Sequence, residues 1–240
     1  MPRRFLFALL LVTFALTASA QKKEHALDAE TKAEVPVLSD FHDVIAPLWH
    51  DAWPNKNYAL VKELLPEVQR YTKELQALEL PGILRDKKPK WDAEVKSLAE
   101  HTAAVTLAIE KNDEKGILDA VEKLHSSYEK LVRVIRPRMK ELEAFHVYLY
   151  QVYHYDLPNK DVRKISGMAN KMVEAAVVLA AAPTPKKLAA KDAEFKTAVQ
   201  DLRMATELLQ KIAKTGEFDA VSSLVEDVHT KYQAVEHMFD

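Results

Sequence analysis

The sequence matches itself, without a gap, when it is shifted by 104 residues. The matched residues include three histidines and a Pro-Asn-Lys turn, in the pairs His42 and His146, His50 and His154, His125 and His229, and 54–56 and 158–160. This repeat constrains the fold more than any other feature, because two segments of the same pattern and length are expected to form the same compact unit. We therefore expect two copies of one domain in tandem.

Each repeat has the pattern of a helical bundle. Apolar residues recur at spacings of three and four among many Ala, Leu, Glu, Lys and Gln residues, and Pro, Gly or Asn-Asp breaks interrupt them. The pattern predicts helices near 36–53, 56–79, 88–111, 113–135, 138–156, 159–181, 187–214 and 217–238. Because short connections favour antiparallel neighbours, the predicted fold is all-α, with two tandem up-down-up-down four-helix bundles at 36–137 and 138–240.

The first 20 residues are typical of a secretory signal peptide. Arg3 and Arg4 precede an apolar run over 5–16, and small residues at 18–20 suit cleavage. The run is too short to be a stable membrane span. We expect a periplasmic or secreted protein with no membrane association after cleavage, in which residues 21–35 form a flexible lead-in to the first bundle.

The composition excludes several functional classes. The chain has no cysteine, which rules out disulfides, thiolate catalysis, iron–sulfur clusters and covalent haem attachment. It has 4 glycines and no glycine-rich phosphate loop. Removal of Arg3 and Arg4 leaves 32 of the 34 basic side chains against 36 acidic ones, a near balance that gives no reason to expect a nucleic-acid partner. No nucleophile is paired with a base, so we expect no enzymatic activity.

Four histidines occupy apolar stripes of the predicted helices. His42 and His146 continue the stripe of the first helix of each repeat, and His125 and His229 that of the fourth. His42 lies about ten residues, or roughly 15 Å, from one end of its bundle, and His125 lies about twelve residues, or roughly 18 Å, from the same end. The spacing therefore predicts a level, buried histidine pair in each bundle.

Two imidazoles on facing helices are the minimum clamp for a transition metal or a haem iron. His101 and Glu67 would add zinc- or nickel-like ligands in the first bundle, whereas Met172 or Met204 would favour copper or haem in the second. The cofactor is thus b-type haem or a divalent ion (zinc, copper or nickel), and this choice stays open. Two further histidines flank the pairs near the turns and are predicted to be structural, namely His50 and His154.

Three segments of the second repeat carry a family resemblance: 142–146, 182–188 and 228–232. They are similar to the axial-methionine segment, the second-to-third helix corner and the fourth-helix haem-ligand segment of the soluble periplasmic b-type cytochromes, in the cytochrome c-prime-like four-helix bundle family. In the last of them, Tyr232 follows His229 by three residues, as Tyr128 follows His125 in the first repeat. The resemblance implies that the four paired histidines stand at the haem-ligand positions, with histidine in place of the methionine.

The predicted function is therefore metal or haem handling, or electron transfer, by an exported protein whose redox or metal-transfer partner the sequence does not identify. The alternative is a cofactor-free bundle that binds a partner protein or a small ligand, which requires an exposed apolar surface. In that alternative the histidines are core residues that are hydrogen-bonded to hydroxyls such as those of Tyr128 and Tyr232.

Overall fold

The computed structural model describes residues 29–239, which are mostly helical and contain no β-strand. The predicted all-α class is confirmed. The described residues form two compact units, the first made of residues 32–136 and the second of residues 137–239 together with 29–31. The predicted signal peptide over residues 1–20 and most of the predicted lead-in lie outside the described residues.

The first unit contains four α-helices, namely α1 (Pro36–Pro47), α2 (Tyr58–Ala77), α3 (Lys88–Glu110) and α4 (Glu114–Ile135). A π-helical turn, Leu48–Ala52, prolongs α1, and a 3-10 segment, Gly82–Lys87, precedes α3. Each helix packs against the next one along the chain. The apolar pattern therefore located these helices to within a few residues, but it did not distinguish the π and 3-10 segments from α-helix.

The second unit contains helices α5 (Lys140–Gln151), α6 (Val162–Ala181), α7 (Asp192–Ala213) and α8 (Phe218–His237), with a π turn at Val152–Asp156 and a 3-10 segment at Lys186–Lys191. Each of these segments begins 104 residues after its counterpart in the first unit. Within residues 29–239 no single helix has the length and hydropathy of a membrane span, although the bent pair Val162–Ala181 and Lys186–Ala213 meets that criterion by length and composition alone.

Side-chain caps and turns fix where the helices begin. Asn57, Asp113 and Asp161 each accept a hydrogen bond from the backbone N–H three residues ahead, which satisfies an amide that has no partner inside the helix. Lys56 and Lys160 follow the two π turns with φ values of 52° and 54°. This left-handed conformation redirects the chain into α2 and α6.

Hydrogen bonds between hydroxyl and amide side chains fix α2 against α3. Gln69 Nε2 donates to Thr106 Oγ1 at 3.0 Å, and the Thr72 and Thr102 hydroxyls lie 2.9 Å apart. Residue numbers rise along α2 as they fall along α3, so the two helices run antiparallel. Both Thr72 and Thr102 are buried, and each hydroxyl also lies within hydrogen-bond distance of the backbone carbonyl one turn earlier, at 2.7 Å and 2.9 Å.

The end of the predicted lead-in differs from the expectation of a flexible segment. Residues 29–31 are helical, and Glu30 accepts a hydrogen bond from the Tyr150 hydroxyl at 3.1 Å within the second unit. Val35 is 2% exposed and belongs to the core of the first unit. A segment this short has no periodicity from which its packing could be predicted.

A buried carboxylate distinguishes the second unit from the first. Asp156 closes the second π turn, is 4% exposed, and carries an Oδ2 atom that has no hydrogen-bond partner within residues 29–239. Burial raises the pKa of Asp156 because the ionised form loses its hydration. The counterpart in the first unit is Ala52, which is fully buried. The second unit therefore tolerates a polar group where the first has a methyl group.

We expect Asp156→Ala to raise the free energy of unfolding by about 1 kcal/mol at pH 7, because an unsatisfied buried polar group costs about 1–3 kcal/mol. Since the folded pKa of Asp156 lies above its ordinary 3.8, this carboxyl costs more stability as the pH rises above that value. The gain from Asp156→Ala should therefore be larger at pH 7 than at pH 4 in urea unfolding. Ala52→Asp is the matched substitution and should destabilise the protein, and an equal gain at both pH values would refute this account.

Candidate functional site

The π turns bring an aromatic ring against a histidine of the last helix in each unit. Their five-residue hydrogen bonds run from Trp53 N to Leu48 O at 3.0 Å and from Leu157 N to Val152 O at 2.8 Å. A π turn widens the helix by one residue, which changes the direction of the side chains within it, and such turns are frequent at functional sites. The two turns carry Trp49 and Tyr153 at equivalent positions.

These two rings lie flat on imidazoles. Trp49 stacks on His125 with ring centroids 4.2 Å apart and planes 6° apart. Tyr153 stacks on His229 with centroids 4.1 Å apart and planes 18° apart. Stacked aromatic pairs contribute about 0.5–1.5 kcal/mol beyond the burial of their area. An equivalent stack therefore fixes the orientation of one imidazole in each unit. The stacked ring covers a face of the imidazole and leaves the edge with its nitrogens uncovered.

The histidines of the first helices contact a tyrosine one turn beyond the histidine of the last helix. His146 stacks on Tyr232 at 4.6 Å and 18°, whereas His42 is tilted by 38° against Tyr128 at 6.2 Å. The Tyr128 hydroxyl donates to the Leu38 carbonyl at 3.1 Å, and burial raises the pKa of Tyr128 to about 12. Each of the four imidazoles thus has an aromatic ring as a neighbour.

The prediction that these histidines are buried is wrong. His42 is exposed, and His125, His146 and His229 are half-buried. The reason is helical phase, because Phe41 is fully buried and the next residue on a helix is rotated by about 100°. The histidines therefore lie at the rim of the core.

Three histidines of the first unit interact electrostatically. Burial is the largest cause of the lowered pKa of His125, and the charges of His50 and His42 lower it further, against the opposing effect of Glu129. His50, which was predicted to be structural, therefore lies near the site rather than apart from it. A neutral His125 has a free nitrogen lone pair at pH 7, which is the form that binds metals.

The second unit has an equivalent third histidine. His154 was also predicted to be structural, and it lies 4.6 Å from the ring of Tyr150 and 5.2 Å from the ring of Tyr153. The Tyr153 hydroxyl donates to Glu226 Oε2 at 3.1 Å, and burial raises the pKa of Tyr153. The rim of each unit thus combines histidines and aromatic rings from the first helix, the π turn and the last helix.

The predicted auxiliary ligands do not join the histidines. Glu67 is exposed and forms an ion pair with Arg70 at 2.7 Å, and Met204 is 57% exposed on α7, so neither side chain has the inward position that the sequence predicted. Met172 is fully buried in the apolar core of the second unit. No three His, Asp or Glu side chains among residues 29–239 are grouped so that they hold a metal ion.

His101, the remaining auxiliary residue, has a different partner. Its Nδ1 lies 2.7 Å from Ser127 Oγ, and burial, followed by the charge of Lys123, lowers the pKa of His101. Ser127 is 1% exposed, so this contact holds the His101 ring against a buried residue of α4. Sequence reasoning missed this pair, although Ser127 lies three residues after the buried Leu124 and four before the buried Leu131, on the same stripe.

Two cavities of the first unit lie away from the histidines. One, of about 300 Å³, is bounded by α2 and by Trp91 and Val95 of α3. The other, of about 600 Å³, is an open groove between α2 and α3, with Ala99, Thr102 and Ala103 along one wall. Neither cavity is lined by a histidine, so neither is a slot between paired axial ligands.

Comparison with known proteins gave no match to a family model, to a curated protein or to a solved structure. Imidazoles that are half-exposed and oriented by stacking can each donate one lone pair to a metal ion that also keeps water ligands.

We expect the imidazole of His125 to titrate below pH 6.5, and Trp49→Ala to raise its pKa, because removal of the indole lets water reach the ring. An NMR titration of the histidine ring resonances measures both. Since the folded pKa is lowered, the contribution of His125 to stability is complete above about pH 6.5 and is lost as the pH falls through the folded pKa. Tyr153→Ala is the matched control and should leave the pKa of His125 unchanged. If Trp49→Ala also left this pKa unchanged, the stacked indole would be excluded as a cause of the lowered value.

Proposed function

We propose that this protein is exported and that each of its two units binds one divalent transition-metal ion through a pair of imidazoles. The pairs are His42 with His125 and His146 with His229. Export rests on the signal-peptide pattern of residues 1–20. The protein then serves as a carrier that takes up an ion outside the cytoplasm and passes it on.

The observation that carries the proposal is the repeated stack of an aromatic ring on the last-helix histidine. Trp49 on His125 and Tyr153 on His229 differ in chemistry but have the same geometry, with centroids 4.2 Å and 4.1 Å apart. A packing role alone does not require an oriented imidazole at the rim, where water already satisfies its nitrogens. The orientation of an imidazole matters when one of its nitrogens must point at a metal ion.

The exposure of the histidines favours an ion over haem. Haem b is held by apolar contacts as well as by its axial ligands, and therefore needs a dry slot. His42 is exposed, and the other three histidines are half-buried. Copper, nickel and zinc accept imidazole and keep water in their remaining positions. A site with two protein ligands and open positions suits exchange of the ion with a partner rather than permanent storage.

The proposal includes the arrangement of the helices within each unit. We infer that the two units are tandem copies of one up-down-up-down four-helix bundle, with domains at 36–137 and 138–240. The constant offset of 104 residues between the beginnings of corresponding helices supports this, as do the antiparallel hydrogen bonds between α2 and α3. One ion per bundle then gives two ions per chain.

The test is isothermal titration of the full chain, purified from an exporting host, with Cu²⁺, Ni²⁺ and Zn²⁺ in turn. We expect two ions per chain for at least one of these metals. His125→Ala and His229→Ala should each remove one ion, because each deletes one of only two protein ligands. His101→Ala and His237→Ala are the controls, since His101 is bonded to Ser127 and His237 is exposed at the end of α8, and both should keep two ions.

The alternatives give distinct results in the same preparation. A Soret band that appears with added haem and is lost in His229→Ala would replace the ion by b-type haem. If neither ions nor haem bind, or if both alanine variants keep full stoichiometry, the proposal is wrong and the histidines are packing residues.

A further inference from the structure

An exposed apolar surface lies on two helices of the second unit. The large apolar side chains exposed there are Val177 and Val178 of α6 and Met204 and Leu208 of α7, all between 46% and 59% exposed. A monomer in water gains nothing from this exposure, and contiguous apolar patches are typical of interaction sites.

The two helices that carry these side chains are neighbours. Helices α6 and α7 pack closely and are joined by a short connection, so they run antiparallel. Gln210 Nε2 donates to Asn170 Oδ1 at 3.0 Å, which fixes their relative height. Val177 follows Asn170 by seven residues and therefore lies level with Arg203, the residue seven before Gln210. On α7 itself, Met204 and Leu208 are four residues apart and share one exposed face.

The exposed apolar pair on α7 belongs to a set of residues with the spacing of a helix–helix seam. Asp201, Met204, Leu208 and Lys211 are separated by three, four and three residues, which places them on one face at the heptad period. The apolar pair lies at the centre, the acidic residue lies at one end and the basic residue at the other. Asp201 and Lys211 are exposed, and within residues 29–239 no ion pair engages either of them.

We propose that this seam is the interface of a homodimer, in which α7 packs antiparallel against α7 of a second copy. A two-fold axis midway between Met204 and Leu208 makes residues at equal distances from the axis meet. Met204 of each copy then faces Leu208 of the other, and Asp201 faces Lys211. The dimer covers the apolar side chains of both copies and forms two ion pairs that the monomer lacks. The seam is therefore complementary to itself.

The counterpart seam of the first unit lacks this complementarity. The residues at its four positions are Ser97, Glu100, Ala104 and Leu107. A glutamate replaces the central methionine, and no charge of opposite sign stands at the ends. The helices of the two repeats begin at equivalent positions but differ on this face, which assigns the interface to the second unit alone.

The size of the seam sets the expected affinity of the dimer. A few half-exposed side chains amount to a patch of a few hundred Å², below the roughly 800 Å² per partner of a standard interface. The dimer is therefore a weak one, in the micromolar range of dissociation constants, and its formation does not depend on metal binding at the histidines.

Sedimentation velocity of the full chain from 5 to about 500 μM tests the inference. We expect a reversible monomer–dimer equilibrium for the wild type. Asp201→Lys and Lys211→Asp should each raise the dimer dissociation constant at least about tenfold, because each places like charges together twice. The double variant Asp201→Lys with Lys211→Asp should restore it to within about twofold. High salt should reduce the effect of the single reversals, since these charges are exposed.

Two substitutions to glutamate serve as a matched pair. Met204→Glu, which installs the residue type found in the first unit, should abolish the dimer, whereas Leu107→Glu, at a position 49% exposed in the first unit, should leave it unchanged. Circular dichroism of these surface variants checks that they remain folded. A wild type that stays monomeric throughout the range, a dimer that survives Met204→Glu, or a double variant that fails to recover would each overturn the inference.

Discussion

Burial of Phe41 and Phe145 fixes the rotational phase of α1 and α5, and the histidine geometry depends on it. A helix presents a new direction every residue, in steps of about 100°, so only one of two neighbouring residues can point into the core. The phenylalanines occupy that direction, and His42 and His146 are consequently displaced to the rim. Their accessibility to water is therefore a consequence of core packing.

The π turns, in contrast, direct side chains of the first helix toward the last helix of each unit. Their five-residue hydrogen bonds add one residue to a turn, which redirects Trp49 and Tyr153 onto the imidazoles of α4 and α8. The first helix of each unit thus contributes a histidine through its regular part and an aromatic ring through its irregular part. Because the turn is present at the same position in both units, the stacked geometry is reproduced even though an indole replaces a phenol.

The helices of the two units begin at equivalent positions, but the units differ in residues that affect stability and the surface. Asp156 is buried at the position equivalent to Ala52 of the first unit. Met204 is exposed at the position equivalent to Glu100 of the first unit. A carboxylate in the core and a methionine in water both cost free energy, and both occur in the second unit. The two units therefore differ in their surfaces although their histidines have similar surroundings.

The sequence by itself determined the all-helical class, the position of nearly every helix and the 104-residue offset, because apolar periodicity and helix breakers are local properties that a chain carries in its order of residues. It also identified all six rim histidines as equivalent pairs. It did not determine which of them are buried, since His42 and Phe41 fit the stripe almost equally well and only packing between helices chooses one. The stacking on Trp49 and Tyr153, the ion pair of Glu67 and the exposure of Met204 were likewise decided by tertiary structure, because each depends on π-turn geometry or helix rotation that residue spacing leaves free.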